Sequence, residues 1–163
     1  MSGRIRTGDT APGFTLVEVL VTVMVIAILA AIVVSSDRGF LGRSRDVQRA
    51  NSITNISRAL ERYYRTNATV SGPTYPSTAS TAAGVATIVD NTDFTNAPGQ
   101  SSNSIVIAST NSTSQTPTID QYIYQPLTSA GALCTAIPCV KYKLYYRQES
   151  DSVVVTVDSV RQQ

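Results

Sequence analysis

The chain has 163 residues, enough for one small domain with an appendage, with 42% apolar and 15% charged residues and a net charge of +2. That composition excludes a disordered acidic chain, and the charge is too small to point to a nucleic-acid partner by bulk electrostatics. There is no His and no Trp, and there are two Cys. The usual general base, Ser-His-Asp and Cys-His pairs, and most zinc sites are therefore missing, so an enzyme is disfavoured and neither a catalytic residue nor a cofactor is expected.

The apolar residues are unevenly placed. Phe14 to Val34 is an apolar run broken only by Thr15, Glu18 and Thr22, without Pro or Gly. As a helix it is roughly 30 Å long, enough to cross a bilayer core, and it is apolar on all sides. A cleavable secretory signal, with Arg4 and Arg6 as its basic end, fits poorly: the run is too long and no small-residue cleavage site closes it. Glu18 also argues against a plain anchor, because an ionised carboxylate in a membrane helix costs on the order of a few kcal/mol and marks function by default.

The string Gly13-Phe14-Thr15-Leu16-Val17-Glu18 and the apolar run behind it resemble the class III signal of type IV pilins and of the pseudopilins of type II secretion. The resemblance implies a leader, Met1 to Gly13, removed by a membrane prepilin peptidase that cuts after Gly13 and methylates the new amine on Phe14. It implies that Glu18 meets the exposed amine of a neighbouring subunit during assembly. The partners that follow are copies of the same chain in a homopolymeric helical filament, the peptidase/methyltransferase, the membrane, and an inner-membrane assembly platform driven by an ATPase motor. The expected location is the cytoplasmic membrane with the N-terminus inside, then an extracellular pilus. Asp9 and Pro12 are mild departures from the pattern. The flanking charges oppose this orientation: Arg4 and Arg6 precede the run, whereas Arg38, Arg43, Arg45 and Arg49 follow it. The peptidase-type signal is taken to override them, with Asp37, Asp46 or other subunits meeting the arginines.

Residues 36–67 read as an amphipathic continuation of the helix. No Pro appears between Phe14 and Val70, and Val47, Ala50, Ile53, Ile56, Leu60, Tyr63 and Tyr64 recur at spacings of three and four. Arg58, Arg62 and Arg65 fall on the opposite side, and Glu61 precedes Arg65 by one turn. Gly39 and Gly42 weaken the helix locally or permit close packing, so any bend belongs near Ser35 to Gly42. The string Ala59 to Asn67, with its Tyr63-Tyr64 pair, and the later Tyr75-Pro76 resemble the end of the long helix in major pseudopilins and related pilins, with a longer connection here. Tyr63 and Tyr64 read as core aromatics.

Residues 68–118 are a Ser/Thr-rich connecting region without Lys or Arg, in which Val85–Val89 and Ser104–Ser109 are candidate strands. Asn67-Ala68-Thr69 and Asn111-Ser112-Thr113 match a glycosylation acceptor pattern. Residues 119–163 read as a small antiparallel sheet: Ile119–Gln125, Val140–Arg147 and Ser152–Val160, with a hairpin loop at Gln148 to Asp151. Tyr142, Leu144 and Tyr146 share one face of the middle strand, and the amphipathic helix through Ile53, Ile56, Leu60 and Tyr64 is the natural cover. The fold class is thus α+β, a long N-terminal helix packed on a small antiparallel sheet.

Cys134 and Cys139 enclose four residues and read as a small disulfide ring, with two reduced thiols as the alternative. Lys141, Lys143, Tyr145 and Arg147 form a basic, aromatic strand face that is the candidate site for DNA or another surface ligand. Glu149, Asp151 and Asp158 are a weaker candidate for calcium, without a dense ligand loop. The sequence therefore reads as a structural subunit, a major or minor pilin, of a type IV pilus-like filament. The alternatives are a pseudopilin of a type II secretion or competence system and, from other classes, a signal-anchored extracytoplasmic binding protein or enzyme.

Overall fold

The computed structural model describes residues 13–66, 68–69, 72–112 and 114–161. The leader expected at Met1 to Gly13 lies outside them except for Gly13, as do Asn67 and Thr113 of the two acceptor patterns. Helix α1 spans Leu16–Thr66. Two compact units divide at Arg38 and Gly39.

In the first unit the helical stretch Leu16–Val33 is long and apolar enough to cross a membrane, and none of it is buried. Such a surface has no stable place in water, so it needs lipid or other protein around it. The backbone of α1 stays helical through Ser35 to Gly42, the stretch to which any bend was assigned.

In the second unit the α1 residues Ile53, Ile56, Ala59 and Leu60 are buried in one cluster with sheet residues Tyr122, Tyr124, Tyr142, Leu144 and Tyr146. After α1 come β1 (Ala68–Thr69) and β2 (Gly72–Pro73), paired antiparallel; α2 (Ala82–Ala86); a single 3-10 turn, Thr92–Thr95; and β3 (Ile105–Ile107), β4 (Tyr122–Leu127), β5 (Lys141–Arg147) and β6 (Val154–Asp158). The last four form a sheet in the order β3-β4-β5-β6.

This α+β head differs from expectation in four places. First, the sheet is mixed rather than antiparallel. β4, β5 and β6 are antiparallel neighbours, but β3 runs parallel to β4, with Ile105 opposite Tyr122 and Ile107 opposite Tyr124. The crossover through residues 108–121 is long enough to bring the chain back to the same end, as a parallel pair requires. Second, β4 continues past Gln125 through Pro126. The β4 residues that face β3 are Tyr122 and Tyr124, whose main-chain atoms bond Ser104 and Ala108. Pro126 is next on that side, where β3 has already ended, so its missing N–H costs no ladder bond.

Third, the candidate strand Val85–Val89 is helical at its start. Thr81 caps α2, its hydroxyl accepting from Gly84 N–H at 3.0 Å, and the Ala pair behind it favours the helix. Val85 and Val89 are buried all the same, so the apolar signal was right and its period was misread. Fourth, the second face of the sheet is not simply solvated. Ala108, Ile123 and Tyr145 form a smaller buried cluster with Leu133 and Val154 packed on it.

The N-terminal end of the α1 stripe also departs from the apolar reading. Val47 points out, 61% exposed, while Asp46 and Arg49 are buried. Positions 46, 49, 53, 56 and 60 make one stripe at helical spacing, and its first two members are an acid and a base. The Asp46 carboxylate accepts from the backbone N–H groups of Glu149 (2.7 Å) and Ser150 (3.0 Å) and from Arg49 (3.0 Å). Arg49 also donates to Ile119 O (3.0 Å) and Glu149 (3.2 Å), and Arg45 reaches Glu149 at 2.6 Å. A buried charge is tolerated only when it is so matched. Burial pushes the Asp46 carboxyl up, but the turn N–H groups, Ser150 and Arg49 outweigh it and hold the pKa below the ordinary carboxylate range.

Candidate processing and assembly site

Gly13, Phe14 and Thr15 precede α1, and Leu16 is its first residue. Thr15 caps the helix: its hydroxyl accepts from Glu18 N–H at 3.2 Å, and its carbonyl accepts from Val19 N–H at 3.2 Å. Thr-x-x-Glu is the sequence of a capping box, and Glu18 puts an anion in the first turn, where the helix dipole favours it. This local role explains a Glu near a helix start. It does not explain one in a membrane-length apolar run, because other first-turn residues cap without carrying a charge into lipid.

The Glu18 side chain is exposed, and among the described residues nothing hydrogen-bonds or pairs with its carboxylate. Two of its neighbours one turn away are large exposed apolar groups, Phe14 at 83% and Val21. A carboxylate so placed requires a cation from elsewhere once the helix leaves water. At Gly13, a Cβ added to the backbone would meet nothing within 4 Å. The fold therefore gives no steric reason for glycine there, and the requirement, if there is one, belongs to whatever handles this segment.

The other candidate residues fall into place as follows. Cys134 and Cys139 are joined in a disulfide and are fully buried. The ring holds the connection to the core: Tyr75 N–H donates to Cys139 O (2.8 Å), Thr78 N–H to Cys134 O (3.1 Å), and Cys139 N–H to Thr74 Oγ1 (2.8 Å). The basic strand face loses its aromatic. Tyr145 is 1% exposed and its hydroxyl donates to buried Gln125, so its ring is not open to a stacked base, while Lys143 pairs with Asp158 at 3.7 Å. The three acids considered for calcium are separated by their partners: Glu149 with Arg45 and Arg49, Asp151 capping Val153 N–H, and Asp158 with Lys143. Among the described residues no group of three or more His, Cys, Asp or Glu could hold a metal ion. Asn111 is exposed, and its side-chain oxygen accepts from Leu133 N–H at 2.7 Å.

Two networks went beyond the sequence reading. In one, Asp46 meets Arg49, one of the arginines it was expected to meet, but the part of Glu149 and the burial of the pair were not foreseen. The other centres on Glu61. It was expected to support Arg65, yet its carboxylate accepts from Tyr75 (2.9 Å), Tyr142 (3.2 Å) and Val160 N–H (3.1 Å), with Arg161 at 4.0 Å. Burial, then the Glu61 carboxylate, pushes the Tyr75 hydroxyl well up from its usual value. Burial is also the largest effect on Tyr142, which rises too. Tyr64 packs on Tyr75 with ring centroids 4.4 Å apart, and the Arg161 guanidinium lies 4.7 Å from the Tyr64 centroid. No local pattern announces such a junction, because its members are up to a hundred residues apart.

Comparison with curated proteins and with solved structures returns no match. Residues 11–34 match the family described as the prokaryotic N-terminal methylation motif. That span contains Gly13, Phe14 and Glu18 and ends one residue past the exposed apolar stretch. Residues 11–34 thus carry the class III signal of type IV pilins and pseudopilins, which supports a type IV pilin- or pseudopilin-like secreted subunit, processed by a prepilin peptidase and built into pilus-like polymers.

Proposed function

We propose that the chain is a structural subunit, a major or minor pilin, of a type IV pilus-like extracellular filament, cut after Gly13 and polymerised through its N-terminal helix. In this reading it performs no catalysis, and its function is assembly. One observation carries the reading: Glu18 stands in a fully exposed apolar helix with its carboxylate unmatched among the described residues. Cutting after Gly13 would place a methylated ammonium on Phe14, at the positive end of the helix dipole, where its own helix disfavours it. A carboxylate from another subunit relieves both charges at once. Opposite charges a few Å apart attract strongly in a low-dielectric surrounding, and each alone is costly to bury. The pair thus sets the register of one helix against the next, while the apolar surface exchanges lipid for neighbouring helices with little change in solvation.

The membrane precursor has its N-terminus in the cytoplasm, and an inner-membrane platform with an ATPase motor extracts it. The arginines after the span oppose that topology, and the reading takes the peptidase-type signal to override them. A topology reporter placed after the head should read as extracytoplasmic.

The experiment that tests the assignment is substitution of Glu18 by Ala and by Gln in cells that make the filament. Both variants should be cut after Gly13 and keep a folded head, yet fail to polymerise, or do so at least about tenfold less. Filaments of normal yield from Glu18→Ala would remove the proposed pairing.

A further inference from the structure

Outside the processing segment, the side of α1 away from the sheet carries a groove that no part of the assembly account uses. Two cavities, of about 360 Å³ and about 160 Å³, lie in succession between α1 and the segment 89–100. Their α1 walls run from Gln48 to Arg62, roughly 20 Å of helix, and Phe94 is a wall of both. The larger cavity is within the size range of small-molecule sites.

The lining has one chemical character. Six amide side chains face it: Gln48, Asn51, Asn55, Asn91, Asn96 and Gln100. Among the described residues the amides of Gln48, Asn51 and Gln100 have no hydrogen-bond partner. Asn55 spends its NH2 on Asn51 O (2.8 Å) and keeps its oxygen, whereas Asn91 spends its oxygen on Asp93 N–H (2.9 Å) and keeps its NH2. The groove therefore offers donors and acceptors in mixture. Its charges cancel: Arg62 pairs with Asp90 at 2.9 Å, and Arg58 and Asp93 are the remaining cation and anion. Half-buried Phe94 and Pro98 add apolar surface beside the amides.

We infer that this groove binds a short uncharged saccharide, its hydroxyls on the amides and the C–H face of a ring on Phe94. A hydroxyl both donates and accepts, which is what amides of mixed orientation satisfy; a nucleic acid or acidic polymer would need a cationic surplus that is absent. An amphipathic helix would need an apolar groove, and an extended peptide would need a free sheet edge; this wall is a polar helix face. The inference goes beyond the filament assignment and does not depend on it, because the groove lies wholly within the second unit.

The test uses the full chain in a sugar-free zwitterionic detergent, titrated calorimetrically with cellotetraose, maltotetraose and N-acetylated chitotetraose, and with tetragalacturonate as the acidic comparison. At least one neutral tetramer should bind saturably and more tightly than tetragalacturonate. The exposed-site variant Asn51→Ala/Gln100→Ala should weaken that binding at least about tenfold without changing the near-ultraviolet tyrosine signal of the head. A single-site variant, Gln48→Ala, should weaken it less and guards against misfolding of the pair. No saturable binding by any neutral tetramer up to about 20 mM, unchanged binding by the double variant, or preference for tetragalacturonate would overturn the inference. So would loss of self-association in the double variant without any effect of sugars, since the groove would then seat a second copy of the chain.

Discussion

Removing the Asp46 carboxylate would take the acceptor from three donors at once: Arg49 Nη1 and the turn N–H groups of Glu149 and Ser150, while Arg49 keeps Ile119 O and Glu149. Breaking such a buried pair by deleting one partner costs about 3 kcal/mol, so Asp46→Ala should lower the unfolding free energy by that order in urea titrations of the full chain in micelles. The pH dependence follows from the direction of the shift. The folded pKa of Asp46 lies below its unfolded value of about 4. Its contribution is therefore complete above the unfolded value and is lost as pH falls through the folded one. Wild-type stability should drop below about pH 4, and the drop should be shallower in Asp46→Ala. Around Glu61 the shifted groups are Tyr75 and Tyr142, both raised, and the reporter is spectroscopic. Glu61→Gln removes an anion that raises Tyr75 and Tyr142 in addition to their burial. Their ionisation should move to lower pH in an ultraviolet titration, and no movement would show that burial alone holds them up.

Among the elements, the Cys134–Cys139 ring is a clamp on the connection that follows α1. It takes main-chain bonds from Tyr75 and Thr78 and closes around the cis Ile137–Pro138 bond. By loop entropy a ring this small contributes about 2 kcal/mol, so the double substitution to Ser should destabilise the head by that amount while leaving the α1 helix signal intact. How far these elements were legible depended on whether their signal was local. α1 was readable because an unbroken apolar run and a 3.6-residue stripe are written in consecutive residues, and β5 because Tyr142, Leu144 and Tyr146 alternate without exception. The parallel pairing of β3 was not readable, since Ile105–Ile107 is three residues long and its partner is chosen by a distant crossover. Val85–Val89 misled because a short apolar run has no period of its own, and the capping Thr81 that decided it lies outside the run. Tyr145 misled because its face of β5 also carries Lys143 and Arg147, while the residues that bury it come from other elements.

At the scale of the whole molecule, the chain combines two solvation problems. The head has its own core, with Tyr and Ile from α1, β4 and β5, and is at home in water. The stretch Leu16–Val33 buries nothing and requires lipid or like helices. The motif that matches at residues 11–34 was legible in the hexapeptide Gly13 to Glu18 and the apolar run behind it, because it is written in consecutive residues; the residues that shape the head were legible only through packing. The account rests on a cut that converts an amide after Gly13 into a charged amine facing Glu18. Intact mass and N-terminal sequencing of the protein isolated from its native filaments or membranes tests this most directly. The account predicts a chain beginning at Phe14 with a methylated amine; native protein that still carries residues upstream of Phe14 and stays dispersed in lipid would contradict it.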